Sequence, residues 1–197
     1  MAEFKVEIRA AVPADSAGLA RVQVETWRDA YVGILPDGTL LDLDETRAGV
    51  RWARMVGAQG PSERLSVAEW DGRLIGFCHG GPTRAGLQQA VGDDRTTDVF
   101  EDLAEIYALY MEPDFQGMGL GRALLLDVTK HLVMAGFDAL GAITLVGNHH
   151  ARRFYEELGG TSGEEIPSVV AGSPADQVAY VWPEIEALAQ ALETVDG

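Results

Sequence analysis

The sequence predicts a single mixed α/β domain of the α+β kind, and three observations carry that expectation. Two strand-like runs, Leu65 to Trp70 and Arg73 to Gly80, are joined by Asp71-Gly72, a dipeptide suited to the positive φ angles of a tight hairpin turn. From Glu105 to Leu158 a strand, a helix, a strand and a helix follow one another, an order that implies parallel pairing. At 197 residues and 47% apolar content, one hydrophobic core serves the whole chain. Folding at that length buries roughly 70% of the unfolded surface.

The elements follow in order. Phe4, Val6 and Ile8 alternate with charged residues, as in a first strand with one buried face. Pro13 and Asp15 start a helix in which Leu19, Val22, Trp27 and Ala30 recur near helical spacing, up to a break at Gly33, Pro36 and Gly38. A second helix runs from about Leu43 to Val56 and carries Val50 and Trp52. After the hairpin, residues 82 to 101 hold Pro82, Gly86, Gly92 and the pair Asp93-Asp94, so they read as a loop. Glu105 to Met111 is the next strand. Leu120, Leu124, Val128 and Leu132 then form one helical stripe, which Gly136 ends. Ala142 to Val146 is a strand, and Asn148 caps a helix containing Ala151, Phe154, Tyr155 and Leu158 before Gly159-Gly160 stops it. Gln177 to Trp182 is a last strand. Pro183 opens a terminal helix whose stripe, Ile185, Leu188, Ala189 and Leu192, packs on the core or on a partner.

Composition narrows the function classes. Fifteen Lys and Arg stand against thirty-one Asp and Glu, a formal charge of −16 that opposes binding to nucleic acid or anionic lipid. A lone cysteine, Cys78, excludes an internal disulfide, and its apolar neighbours place it in a buried strand. No zinc-type spacing exists, so no metal is expected, and His149 and His150 read as exposed polar residues. The N-terminus lacks the apolar region of a secretory signal, and no run approaches the roughly 18 apolar residues of a membrane span. The expectation is a cytoplasmic protein, monomer or homodimer, with no membrane partner.

Gln116-Gly-Met-Gly-Leu-Gly-Arg-Ala-Leu-Leu125 carries the chemistry. A strand, a glycine-rich turn and a helix N-terminus expose unpaired backbone N–H groups where the helix dipole is positive, which makes an anion site. A Walker loop needs Gly, four residues and Gly-Lys-Ser/Thr, and that form is absent. The dinucleotide fingerprint fails in both frames, because its last place falls on Arg122 or on Leu124. What remains is Q-x-x-G-x-G, with a further glycine at 117.

With that loop, the chain resembles the GCN5-related N-acetyltransferase superfamily, whose acetyl-CoA loop has the form Gln/Arg-x-x-Gly-x-Gly/Ala. EIYALYMEPDFQGMGLGRALL looks like that family's strand, loop and helix; NHHARRFYEELGG resembles its later motif; VETWRDAYVGILP looks like bacterial members. The resemblance covers nearly the whole chain. It implies a central mixed, mostly antiparallel sheet of about seven strands, splayed between the fourth and fifth, with helices on both faces and acetyl-CoA in the gap. On that pattern Leu109, Tyr110 and Met111 contact the pantetheine. Gln116, Gly117, Met118, Gly119, Leu120, Gly121 and Arg122 wrap the pyrophosphate, where glycines let the backbone approach two phosphates closely. Asn148, Ala151, Arg153 and Phe154 complete the cofactor set. CoA is a polyanion, so Arg122, Arg152 and Arg153 are candidate phosphate partners, with a solvated helix face as the other reading of the arginine pair.

Acetyl transfer from a thioester needs a neutral amine, a stabilised oxyanion and a proton for the departing thiolate. Glu105 resembles the glutamate that histone-type members use as a base, although a carboxylate of ordinary pKa near 4.3 is a weak one, and Asp93, Asp94 and Glu101 are alternatives. Tyr155 matches the tyrosine that many members place beside the sulfur, where a phenol near 10 donates to a thiolate. The oxyanion most simply meets the Met111 N–H. Trp27, Tyr31 and His79 are candidate substrate contacts, with core packing the alternative for the aromatic pair. The acceptor expected is a small-molecule or peptide amine; the other class considered is a non-catalytic acyl-CoA-binding module.

Overall fold

The computed structural model describes residues 5–91 and 102–194. Phe4, Gly92, Asp93, Asp94 and Glu101 lie outside the described residues.

The chain begins with β1 (Val6–Ala10), a 3-10 turn and α1 (Ser16–Ala30), followed by α2 (Asp37–Leu41) and α3 (Glu45–Gly57). The hairpin is β2 (Arg64–Trp70) and β3 (Arg73–Pro82), then come α4 (Ala85–Val91) and β4 (Leu103–Met111). The second half holds α5 (Leu120–Met134), β5 (Ala139–Leu145), α6 (His149–Glu157) and β6 (Thr161–Ile166). It closes with the small pair β7 (Val169–Val170) and β8 (Ser173–Pro174), then β9 (Gln177–Trp182) and α7 (Ile185–Glu193).

Seven strands form one sheet in the order β1-β2-β3-β4-β5-β9-β6, antiparallel at every join except β4 with β5. The hairpin turn has φ of 50° at Asp71 and 75° at Gly72, the left-handed pair that matches the twist of its strands. One face is covered by α1 and α3, where Leu19, Val22 and Trp52 pack on Val67 and Phe77. On the other face α5 and α7 bury Leu124, Val128, Leu132, Ile185, Leu188 and Leu192. No helix among the described residues is long and apolar enough to cross a membrane.

Two helices occupy stretches that read as loop. α2 starts at the end of the Gly33–Gly38 break and runs on to Leu41, because Pro36 stands at its N-cap and Leu40 is drawn into a cluster with Tyr31, Leu35 and Leu145. α4 lies within 82–101, where Leu87 is buried over Gly141 so closely that a Cβ there would overlap it. In both cases tertiary burial outweighs the local cost of glycine and proline.

Candidate functional site

β4 and β5 pair over four positions only, from Leu103↔Ala139 to Ile106↔Ala142, although β4 runs on to Met111 and β5 to Leu145. The cause lies on the other side of β4. There the ladder with β3 skips one residue, so that Tyr107 is extra between Ile106↔Gly80 and Ala108↔His79. A bulge bends and over-twists its strand, and this one falls immediately after the last β4/β5 pair. It turns β4 away from β5 and opens a gap.

The gap exposes backbone. Glu112 N–H donates to Ile75 O of β3 at 2.9 Å, and successive amides of a strand point to opposite sides. The N–H groups of Met111 and Leu109 are therefore directed away from β3, toward the space β5 has left. The Met111 carbonyl on that side accepts from Gln116 Nε2 at 3.0 Å, which fixes the start of the glycine loop to the strand end.

A cavity of about 410 Å³ occupies the gap, lined by Tyr107 and Tyr110 of β4, Ile143, Thr144 and Leu145 of β5, Trp27 and Tyr31 from the end of α1, and Arg84, Glu105, Val170 and Gln177. Several expected residues meet here. Tyr31 packs edge-on against Trp27 with ring centroids 5.1 Å apart. Burial raises the Tyr31 phenol well above its ordinary range, and its neighbours in the cluster include Tyr110, Tyr155 and Asn148. Burial likewise raises Tyr110, which Trp27 and Tyr31 approach; the Trp27 indole N–H nevertheless meets no described acceptor in hydrogen-bonding geometry. Asn148 caps α6 as expected, its side-chain oxygen accepting from Ala151 N–H at 3.1 Å.

Tyr155 is buried on α6 among the rings of Phe154, Tyr180 and Trp182. Its phenol is raised above the ordinary tyrosine range by burial first, then by Cys78 and Tyr110. Its hydroxyl forms no hydrogen bond with a described residue. A raised phenol keeps its proton at neutral pH, which a proton donor requires.

At the mouth of α5, Gly117 and Gly119 have φ of 72° and 80°, and nothing lies within 4 Å of where a Cβ would project at either. Gly119 is the N-cap and offers no side chain to the helix, so the first-turn amides at Leu120, Gly121 and Arg122 are left without intrahelical partners. Met118 is half exposed beside them. A Cβ on Gly121 would lie 3.9 Å from the Phe154 ring, so the α5 mouth abuts the helix carrying Tyr155. Ala151 and Phe154 pack partly buried on the same core.

The three arginines differ. Arg122 turns its guanidinium to Ala191 O at 3.3 Å, on α7. Arg152 bridges Tyr180, Val146 O and Glu165. Arg153 makes only an exposed i,i+4 pair with Glu157 at 2.8 Å, the kind that contributes least and is most readily exchanged.

Glu105 is nearly inaccessible, at 2% exposure, and its carboxylate is occupied. Oε2 accepts Arg84 N–H at 2.8 Å, and Oε1 accepts Arg84 Nε at 3.1 Å and also Nη2. His79 does not line the cavity; it lies behind Tyr107, ring centroids 4.8 Å apart, with Trp52 on its other side. Burial, with Arg84 adding, lowers its imidazole to about 4. Glu63, 3.6 Å away and partly exposed, is too distant and too hydrated to hold a proton on it. Among the described residues, no cluster of three or more His, Cys, Asp or Glu is arranged to hold a metal ion.

Sequence reasoning missed Tyr107, Arg84, Thr144 and Gln177. Tyr107 was within reach, since strand alternation puts it on the face of Glu105. Arg84 lies in a stretch read as loop and carries no periodic signal.

Comparison with known proteins agrees with this geometry. The family profile described as Acetyltransferase (GNAT) family matches residues 24–160. The chain is 25% identical to the uncharacterized N-acetyltransferase YuaI of Bacillus subtilis, over 93% of this chain and 96% of that one. It is 37% identical to a mycothiol acetyltransferase of Thermomonospora curvata over 49% of this chain, but only 27% of that protein. Among solved structures, yncA of Salmonella typhimurium with its cofactor acetyl-CoA superposes with a TM-score of 0.64 at 21% identity, covering 92% of this chain and 94% of that one.

Proposed function

Because the chain belongs to the acetyltransferase (GNAT) family, we propose that it moves an acetyl group from acetyl-CoA to the primary amine of a small molecule or peptide by direct attack. One observation supports the reading: β4 runs on without β5 beyond Ile106, and the glycine mouth of α5 abuts α6, the helix that carries Tyr155. In this reading pantetheine adds to Leu109 and Met111 as a further strand would, in the place β5 vacates. The pyrophosphate takes loop amides between Gln116 and Arg122. Asn148, Ala151 and Phe154 border the sulfur end, and Arg153 exchanges Glu157 for a phosphate.

The chemistry follows from that placement. A lysine-like amine near 10.4 costs about 4 to 5 kcal/mol to deprotonate at pH 7, and an α-amine near 8 costs about 1. The neutral amine attacks the thioester carbon, and the developing oxyanion meets a β4 amide, most simply that of Met111. Tyr155 donates to the leaving sulfur. Passing a proton from a phenol near 10 to the thiolate of a thiol near 8.5 costs about 2 kcal/mol, and desolvating the thiolate in the same gap offsets the effect of burial on the phenol. Glu105 is buried behind Arg84 and accepts three of its N–H groups, so in this reading it acts as a base only through a water that reaches it.

The test is thiol release on mixing the protein with acetyl-CoA and a panel of amines. Free CoA appearing with one amine class supports the enzyme. Heat of binding without release under every amine points instead to an acyl-CoA-binding module.

A further inference from the structure

Among the described residues lining the cavity between β4 and β5, two carry formal charge, Arg84 and Glu105, and they are bound to each other. Their exposures are unequal: the Glu105 side chain is 2% exposed and the Arg84 side chain 59%. A ligand entering the cavity therefore meets the cation, with its compensating anion buried behind it. Among the described residues this wall offers a polyamine no unpaired carboxylate.

The guanidinium is also held in place. Glu105 takes its Nε and Nη2, the Arg84 backbone N–H is anchored to the same carboxylate, and the Tyr107 ring lies 4.1 Å from the guanidinium carbon. Among the described residues no acceptor meets Nη1. The outer edge of the fork, Nη1 with Nη2, is preorganised and unfilled, and its geometry matches a carboxylate bidentately. The cavity, at about 410 Å³, is at the small end of ligand sites. Its remaining walls near the α1 end are aromatic and aliphatic: Trp27, Tyr31, Tyr110, Leu145.

Resting on the N-acetyltransferase reading, we propose that the acceptor is a free α-amino acid with an apolar side chain, its carboxylate held by Arg84 and its amine turned toward the β4 edge. In an α-amino acid the carboxylate and the amine share one carbon, so the fork that holds the first also orients the second, and the aromatic and aliphatic walls take the side chain. In the reaction the ammonium first releases one proton to water. The nitrogen lone pair then forms the C–N bond and the C–S bond breaks, Tyr155 gives its proton to the departing sulfur, and the second nitrogen proton passes through water to the Tyr155 phenolate and restores it. The products are the N-acetyl amino acid, CoA thiol and one proton. Glu105 is a positioning residue in this scheme, since it acts by aiming Arg84.

Initial rates of thiol release test this with matched acceptors: leucine against isoamylamine, phenylalanine against phenethylamine, and leucine against leucinamide. Leucinamide retains a weakly basic amine but lacks the charge, so amine basicity cannot imitate recognition by Arg84. The amino acids are expected to exceed the amines and the amide by about 100-fold in kcat/KM, and Arg84→Ala to shrink that acid-to-amine ratio to about threefold or less, the ratio being read within each variant so that any general loss from leaving Glu105 unpaired cancels. Arg84→Lys should recover part of it, as a point charge without the fork. Equal kcat/KM for acid and amine, or an Arg84→Ala variant that lowers both alike, overturns the proposal and leaves the N-acetyltransferase reading intact. Acetyl-CoA binding with no thiol release from any acceptor removes both.

Discussion

Replacing Gly119 by valine separates a strained backbone from a lost anion site. Gly119 sits at φ 80° with nothing within 4 Å of a projected Cβ, so the substitution meets no steric wall and its folding cost is conformational. A non-glycine residue in the left-handed region costs roughly 1–2 kcal/mol, at the upper end for a β-branched one. In a chain of this size about 2 kcal/mol lowers Tm by roughly 4–8 °C. Ligand affinity should suffer more. The valine methyls would fill the open space in front of the α5 amides, and hydrogen bonds to a charged group contribute about 1.5–3 kcal/mol each. Losing two of them weakens CoA binding by at least about 100-fold. Gly72 supplies the control, with φ 75°, equally open space and a place in the β2–β3 turn. Calorimetric titration with CoA and thermal unfolding should show similar Tm losses for Gly119→Val and Gly72→Val, with affinity lost only in the first. Parental CoA affinity in Gly119→Val refutes the phosphate cradle.

Tyr155→Phe should lower kcat by about 10- to 1,000-fold with little change in CoA affinity; because the hydroxyl binds no described residue, Tm should hold, and an unchanged kcat removes Tyr155 as the acid. His79 predicts a pH effect on stability. Its imidazole, ordinarily near 6.5, is lowered to about 4 in the fold, so between those values the unfolded chain binds the extra proton. Stability is complete above pH 6.5 and declines as pH falls toward 4, by up to about 3 kcal/mol. Urea midpoints from pH 7 to 4.5 should show this slope in the parent and a flatter one in His79→Gln; identical slopes exclude His79 as the source. Salt dependence of CoA binding tests who holds the phosphates. With a formal charge of −16 and phosphates on backbone amides, screening relieves repulsion, so affinity should stay level or rise as the Debye length shrinks from about 30 to 8 Å. A steep fall would show that basic side chains dominate.

Elements with strong periodicity or punctuation were legible in the sequence. The β2–β3 hairpin follows from Asp71-Gly72, and both occupy positive φ. The Asn148 cap, the Gly136 stop and the α7 stripe each rest on local chemistry that the structure reproduces. α2 and α4 were not legible, because what folds them is distant: Leu40 finds Leu145, and Leu87 finds the bare backbone of Gly141. The bulge at Tyr107 was hidden for the same reason. Nothing in Glu-Ile-Tyr-Ala-Leu-Tyr-Met distinguishes a bulged strand from a regular one, since the irregularity is a property of its pairing with β3.

The candidate site divides along the same line. Most of its proposed cofactor half is one stretch, from the β4 edge through the glycines to the first turn of α5, so spacing displays an anion site there, and the family resemblance adds the strand contacts and the residues of α6. Its acceptor half is assembled from α1, the segment after β3, β4, β5 and the β7–β8 region, and no two of those pieces share a pattern. A glutamate read alone on a strand suggests a base. The same glutamate beneath Arg84 makes an anchored cation, which reverses the sign of the surface presented to the acceptor. Net charge is misleading here for the same reason, because a chain at −16 can still present a positive edge wherever one arginine is exposed and its partner is buried. On the proposed acceptor reading, specificity in this cavity is set by which member of the pair faces the ligand, and the exposures of Arg84 and Glu105 are fixed by the fold rather than by composition.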